Sequence, residues 1–158
     1  MKQKAMPKLL PIVHEPDPVL RARAKKINIS QWNPKELNAL TDDMVLTMKK
    51  APGVGLAAPQ IGKSIRLIIV ERIPEPIALI NPEIIGHSLR KDTLEEGCLS
   101  VPGKYGIIKR YKTVKVRALT ITGKPVTIEA KGFLAQIFQH EIDHLNGILY
   151  IDKAIKFL

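Results

Sequence analysis

The stretch Gln139–Gly147 constrains this chain more than any other, because it places two histidines four positions apart with a glutamate directly after the first. On an α-helix, residues four apart lie on one face, so His140 and His144 are placed to offer ring nitrogens to a single metal ion. Glu141 then points to one side, close enough to handle a proton. The pattern is typical of hydrolytic metal sites, although a helix carrying two solvated or buried histidines also produces it.

A third metal ligand must come from elsewhere in the chain, which has one cysteine, Cys98. A free cysteine is more often a small buried apolar residue than a ligand. Two imidazoles with one thiolate nevertheless form a known catalytic coordination that leaves a fourth position open for water. Cys98 is therefore a candidate ligand, and the lack of a partner for a disulfide fits a reducing cytoplasm.

The length and composition predict one globular domain over residues 1–158. Hydrophobic residues make up 45% and charged residues 25% of the chain, and no apolar run approaches the roughly 18 residues that span a membrane. Met1–Pro7 carries positive charge but no continuous apolar segment follows it, so we predict no signal peptide.

The formal charge of +10 favours attraction to an anionic surface such as the ribosome, unless the lysines are merely scattered solubilising side chains. The basic clusters, among them Lys109–Lys112, are short and poor in aromatic residues. We therefore predict no specific nucleic-acid binding.

The periodicity of the sequence predicts an α+β fold. Asn33 is a suitable N-cap with Pro34 at the first helical position, and the N-terminal helix that follows should end near Lys50. Beyond Ile65, short β-branched runs separated by turn residues predict strands at 66–70, 78–80, 83–87, 107–110, 114–119 and 126–130. We expect antiparallel strands packed against the C-terminal helix, with residues 148–151 as a last strand or extended tail.

Gly53–Ala58 fits the Gly-x-Gly-x-x-Ala variant of the dinucleotide-binding fingerprint. The segment follows a predicted helix instead of a strand, and Pro59 breaks the helix that the fingerprint must open. The context therefore argues against a nucleotide site. The glycines do permit close approach of the backbone to a ligand, because no side chain stands in the way.

Three stretches, taken together and in order, resemble the peptide deformylases, which remove the formyl group from the initiator methionine of nascent bacterial and organellar proteins. The stretches are Gly53–Gln60, Glu96–Ser100 and Gln139–Leu145, and Pro16–Arg21 is similar to the family's N-terminal pattern. The resemblance covers nearly the whole chain. It implies a compact α+β domain whose antiparallel strands surround a central helix that carries both histidines.

The resemblance implies a metal centre and its acid/base group. Cys98, His140 and His144 are expected to bind one divalent metal ion, natively Fe²⁺, with Zn²⁺, Ni²⁺ or Co²⁺ as replacements. A metal lowers the pKa of bound water to about 7, which provides hydroxide for attack on the formyl carbon. Glu141 is expected to take the proton and return it to the departing amine.

The resemblance also implies the groups that hold the substrate. The side-chain amide of Gln60 and the backbone N–H of Leu99 are the expected oxyanion donors, and the substrate backbone should approach two glycines, Gly55 and Gly97. Helical spacing places two further residues on the ligand face, seven and three positions before His140. With one residue of the glycine stretch they are expected to form an apolar pocket for methionine; the three are Val54, Phe133 and Ile137.

The expected substrates are formyl-Met nascent peptides. The protein is expected to be a monomer in the bacterial cytoplasm and to contact no membrane. Two features depart from the family pattern. The chain stops at Leu158, without the C-terminal helical extension through which bacterial members dock on the ribosome, so any ribosome contact is expected to be transient and through the basic surface. Gln136 is polar where an apolar pocket residue is expected.

Two other interpretations stay open at this level. A metallopeptidase would use the same helix, but its third ligand is usually histidine or glutamate instead of a cysteine such as Cys98. A structural metal module or a basic RNA-binding module would carry no chemistry. A closed structural site needs a fourth protein ligand, for which only His14 and His87 remain.

Overall fold

The computed structural model describes residues 5–158; Met1–Lys4, on which part of the signal-peptide prediction rests, lie outside the described residues. The described part forms the helices α1 (Pro34–Lys50) and α2 (Gly132–Leu145) and the strands β1 (Gly55–Ala57), β2 (Leu67–Val70), β3 (Ile77–His87), β4 (Lys91–Cys98), β5 (Val101–Tyr111), β6 (Thr113–Leu119), β7 (Pro125–Lys131) and β8 (Lys156–Phe157). No helix within this range is long and apolar enough to cross a membrane.

The strands form two antiparallel sheets. The larger sheet has the order β1-β2-β3-β6-β7 and the smaller one the order β4-β5-β8. The strand β2 is buried on both faces, since Ile68 and Val70 pack in the cluster that contains α2, and Leu67 and Ile69 pack in the cluster that contains α1. The larger sheet is therefore covered by one helix on each face, which explains the unbroken apolar run of β2.

The C-terminal end of α2 is held by residues far away in the sequence. Arg66 donates to the carbonyl oxygen of Leu145 and to the side-chain oxygen of Asn146, both at 2.9 Å. The backbone N–H of Ala24 also donates to the Leu145 carbonyl at 2.9 Å. These bonds satisfy acceptors that a helix end leaves free, so α2 is fixed at the end that carries His144.

The structure confirms the predicted α+β class and the N-terminal helix, whose Asn33 side chain accepts a hydrogen bond from the Lys35 N–H. The strands predicted at 66–70, 114–119 and 126–130 are present within about a residue at each end. The segments predicted as two strands, 78–80 and 83–87, belong to one strand, β3. A bulge at Asn81, whose φ is 51°, shifts the register of pairing with β6 without ending the strand.

Other expectations about the strands were wrong. The prediction at 107–110 captured only the second half of β5, and β1, β4 and β8 were not predicted. Residues 148–151 do not form a strand, because the Asp152 carboxylate accepts a hydrogen bond from the Leu149 N–H and closes the short 3₁₀ helix Tyr150–Asp152. The strand β4 was not predicted because charged residues are uncommon in strands, and four of its eight residues are charged: Lys91, Asp92, Glu95 and Glu96.

Gly147 and Gly132 both adopt left-handed backbone conformations, with φ of 74° and 59°. A β-carbon on Gly147 would lie 2.4 Å from the Arg21 carbonyl oxygen, whereas one on Gly132 would meet nothing within 4 Å. We predict that Gly132→Ala costs about 1–2 kcal/mol of stability, the penalty of the conformation alone, and that Gly147→Ala costs clearly more. Urea denaturation of both variants measures the difference, and equal losses would contradict the role given to the Arg21 contact.

Candidate active site

The histidines of α2 and the cysteine of β4 converge on one point. The Sγ atom of Cys98 lies 3.4 Å from Nε2 of His144, which lies 3.2 Å from Nε2 of His140. The three ligand atoms are all within 4.8 Å of one another, and no other cluster of this kind exists among residues 5–158. Two imidazoles and a thiolate so close together suit a divalent transition metal.

Among residues 5–158, no fourth protein ligand joins the cluster. His14 lines the rim of the neighbouring cavity, and His87 stacks on Tyr111 with the ring centroids 3.8 Å apart. Neither histidine joins the three ligand atoms. The arrangement therefore resembles the open site of a metal-dependent hydrolase more than a closed structural site.

Cys98 owes its position to the tight turn between β4 and β5. It pairs with Val101 across the turn, after a shift in register that follows Gly97. Gln60 holds the turn from the other side, because its Nε2 lies 3.2 Å from the Ser100 hydroxyl and 3.6 Å from the Cys98 sulfur. The side-chain oxygen of Gln60 accepts the Ala57 N–H at 3.0 Å, so the amide nitrogen is the group that faces the site.

Glu141 is buried beside the histidines. Its Oε1 lies 4.0 Å from Nε2 of His140, and its Oε2 has no hydrogen-bond partner among the described residues. Gly55 makes room for this carboxylate, because a β-carbon at that position would lie 2.6 Å from Oε1. Burial raises the pKa of Glu141 to about 7, although the charge of His140 opposes the shift. A carboxyl group with that pKa exchanges protons readily near neutral pH.

A buried ion-pair network supports the site from behind. Glu96 accepts hydrogen bonds from Nδ1 of His140 and from Nε and Nη2 of Arg110, the latter two at 3.1 and 2.6 Å. Arg110 also donates to Asp143 at 2.6 Å, and Lys153 lies 3.0 Å from Asp143. The bond to Glu96 turns Nε2 of His140 towards the other ligand atoms, as the outer partner of a metal-binding histidine commonly does.

The network shifts the ionisation of its members. Burial opposes the negative charge on Glu96, but the hydrogen bonds from His140 and Arg110 outweigh it and lower the pKa of Glu96 to about 2. Burial likewise opposes a positive charge on His140, whereas its bonds to Cys98 and Glu96 raise its pKa. Burial and the charge of His140 lower the pKa of His144, which favours the neutral imidazole that a ligand must be.

The role of Arg110 was not predicted from the sequence, where the residue belongs to the short basic cluster Lys109–Lys112. The side chain is only 2% exposed. Alternation along β5 was the available signal, since Arg110 lies two positions after the fully buried Ile108 and therefore on the same face.

A cavity of about 620 Å³ opens onto the cluster. It is lined by nearly all the residues expected from the sequence: Val54, Gly55, Gln60, Gly97, Cys98, Leu99, Phe133, Ile137, His140 and Glu141. Phe133 and Val54 are 63% and 44% exposed and so form the rim, whereas Ile137 is buried. Tyr105, not singled out from the sequence, also lines the cavity, and its ring would lie 2.8 Å from a β-carbon on Gly97.

Residues 9–157 match the family model of the polypeptide deformylases. The chain belongs to the polypeptide deformylase family. A peptide deformylase of Halothermothrix orenii is 54% identical over 142 residues, which cover 89% of this chain and 90% of the relative. Deformylases remove the formyl group from N-terminal methionine, so the match confirms both the predicted family and the prediction of an enzyme.

Solved deformylase structures share the fold. A class I type b peptide deformylase from Acinetobacter baumannii has a TM-score of 0.88 at 41% identity, covering 92% of this chain and 99% of the other. The deformylase of Thermotoga maritima has a TM-score of 0.87 at 41% identity, covering 92% and 97%. A further structure of the Acinetobacter enzyme, with a TM-score of 0.87 at 39% identity, covering 92% and 99%, is bound to Met-Ala-Ser.

The buried Arg110 should matter far more for stability than an exposed arginine in a similar ion pair. Arg110→Met removes the arginine partner of the buried Glu96 carboxylate and leaves Asp143 with Lys153 alone, and we predict a loss of about 3–5 kcal/mol. Arg117 pairs with Glu83, but both side chains are at least half exposed, so Arg117→Met should cost a small fraction of that. Urea denaturation of the two variants tests this, and comparable losses would show that the buried network is not a main support.

Proposed function

We propose that this chain removes the formyl group from formyl-Met peptides and releases formate, using one divalent metal ion held by Cys98, His140 and His144. The observation that carries the proposal is the convergence of the three ligand atoms within 4.8 Å at a cavity that Glu141 also lines. The Acinetobacter relative bound to Met-Ala-Ser supports it, since that tripeptide begins with methionine.

The donor set supports the proposed metal. A thiolate and two imidazoles accept Fe²⁺, Zn²⁺, Ni²⁺ and Co²⁺, and we propose Fe²⁺ as the native ion because of the family resemblance. When bound, such an ion lowers the pKa of water to about 7 and polarises a carbonyl oxygen. Cys98 would contribute as thiolate, and Glu96 would keep His140 in the orientation that a ligand needs.

Glu141 is the proposed general acid/base. Its pKa of about 7 lets the carboxylate take a proton from the attacking water and return it to the departing amine. Oε1 is the oxygen proposed to do so, because it lies 4.0 Å from Nε2 of His140. Gly55 leaves the carboxylate its space, so a side chain at that position would displace the acid/base group.

Gln60 and Leu99 are the proposed donors to the oxygen of the tetrahedral intermediate. One amide hydrogen of Gln60 goes to the Ser100 hydroxyl at 3.2 Å, and the other goes to the Cys98 sulfur, a weaker acceptor, at 3.6 Å. In the proposal, this second hydrogen turns from the sulfur to the substrate. The Leu99 N–H follows Cys98 directly in the β4–β5 turn, and a donor of this kind is worth on the order of 3 kcal/mol in the transition state.

The proposed methionine pocket is formed by Val54, Phe133 and Ile137. Burying an unbranched apolar side chain there is worth roughly 1.5–3 kcal/mol, which favours methionine over a charged side chain. Gly55 and Gly97 let the substrate backbone approach. Selection of formyl over longer acyl groups is proposed to come from crowding, since the oxyanion donors would hold the carbonyl where only a hydrogen fits beside it.

We further propose that residues 1–158 act as a single catalytic domain and as a monomer in the bacterial cytoplasm. The net charge of +10 supports transient contact with the ribosome through the basic surface, with no specific nucleic-acid binding.

The substrate proposal predicts a clear order of rates. Formyl-Met-Ala-Ser should be cleaved well, acetyl-Met-Ala-Ser and formyl-Asp-Ala-Ser poorly, and Met-Ala-Ser not at all. Formate release and kcat/KM are measured on anaerobically prepared protein whose metal content is determined on the same sample. Cleavage of Met-Ala-Ser at a rate comparable to formyl release would indicate an aminopeptidase.

The ligand assignment predicts that Cys98→Ala loses most of the metal together with the activity. Full metal occupancy in that variant would exclude the assignment.

The role of Glu141 predicts a separation of binding from chemistry. Glu141→Gln should keep the fold and the metal but lower turnover by at least about 10²-fold, as expected for a lost general acid/base. Glu129→Gln, on the exposed face of β7, is the matched control and should behave like the unmodified chain. Turnover within a few-fold of the unmodified chain in Glu141→Gln would assign proton transfer to another group.

A further inference from the structure

Gln136 lies one turn before His140 on α2, lines the cavity and is only 8% exposed. Its Nε2 lies 3.0 Å from the Glu95 carbonyl oxygen and 3.2 Å from Oε2 of Glu96. Both partners are acceptors, so the amide donates both of its hydrogens and its orientation is fixed. Gln136 therefore has no N–H left to donate to a substrate, and the contacts of its amide nitrogen are to the two groups that it holds.

The more consequential of the two is Glu96, because Gln136 completes its hydrogen bonds. Oε1 of Glu96 accepts from Nδ1 of His140 and Nη2 of Arg110, and Oε2 accepts from Nε of Arg110 and Nε2 of Gln136. An ionised carboxylate has about four acceptor sites, so all of them are used. The carboxylate can rotate only if it breaks one of these bonds.

Gln136 and His140 hold Glu96 from the same helix. The two residues are four apart, so their side chains leave the same face of α2 and reach the two oxygens of one carboxylate on β4. The second bond of Gln136, to the Glu95 carbonyl, fixes the backbone of β4 just before Glu96. Helix and strand are thereby joined directly behind the ligand histidine.

We propose that Gln136 is a positioning residue of the metal site, which acts through Glu96 to fix the imidazole of His140 and thereby strengthens metal binding. The inference rests on the proposed function, in which His140 is a ligand. Loss of the Gln136 amide leaves Oε2 with Arg110 alone, frees the carboxylate to turn and loosens its bond to His140. Outer partners of metal ligands typically contribute 10–100-fold to metal affinity.

Gln139 provides a matched control on the same helix. It is 5% exposed, its Nε2 donates to the carbonyl oxygens of Tyr111 and Ala135, both at 2.9 Å, and its Oε1 accepts the Tyr111 N–H at 2.8 Å. Its amide therefore ties α2 to the end of β5 as firmly as that of Gln136 ties it to β4. It makes no hydrogen bond to Glu96, so its loss should lower stability without acting on His140.

The test compares Gln136→Met and Gln139→Met with the unmodified chain, because methionine keeps the length of glutamine and loses its hydrogen bonds. Co²⁺ is titrated into each metal-free protein, binding is followed by the thiolate-to-cobalt absorption, and Kd is determined by competition with a chelator. We expect Gln136→Met to raise the Kd for Co²⁺ about 10-fold and to shift the cobalt bands. Gln139→Met should leave both unchanged while lowering the melting temperature.

An unchanged Kd in Gln136→Met would overturn the inference, and so would equal weakening in both variants, because that would be a general effect of a loosened helix. Should circular dichroism show that Gln136→Met is unfolded, Gln136→Asn takes its place, since its amide is one carbon too short to reach both acceptors. Failure of the unmodified chain to bind Co²⁺ would instead overturn the proposed metal site, and the inference with it. The two failures are therefore distinguishable.

Discussion

The carboxylate of Glu96 is the point on which the site depends. A buried carboxylate is costly unless it is paired and fully hydrogen-bonded, and here Arg110 and His140 share that task. The same bonds join β4, β5 and α2, so the charge that needs compensation also fixes the three elements that carry the candidate ligands and their support. A change that loosens this network is therefore expected to affect both the stability of the fold and the geometry of the candidate metal site.

Burial acts in the same direction on the two glutamates of the site, raising the pKa of each, but their net pKa shifts are opposite. Glu96 is kept ionised because two cationic or donating groups face it, and its pKa falls to about 2. Glu141 is equally removed from water but lacks such partners, so its pKa rises to about 7. The physical difference lies in the neighbours and not in depth, and it separates a structural carboxylate from one suited to proton transfer.

Features governed by local chemistry were predictable from the sequence. The N-cap at Asn33 defined α1, and the spacing of His140 and His144 placed two candidate ligand atoms on one helix face, where the structure has them. The convergence with Cys98 came from a resemblance spread over several stretches, because no local rule brings residues 46 apart together. Arg110 and β4 were missed for a related reason: charged residues indicate a surface until their partners across the fold are known.

The end of α2 is fixed by residues that lie far back in the chain. Arg66 reaches Leu145 across 79 positions, and Arg21 reaches Asp152 across 131. Contacts of such long range carry a high loop-closure cost, which the rest of the fold must offset. Neither can form during synthesis before its C-terminal partner, Leu145 or Asp152, has left the ribosome. A chain stalled just after His144 would therefore carry both histidines on a helix whose end has no anchor.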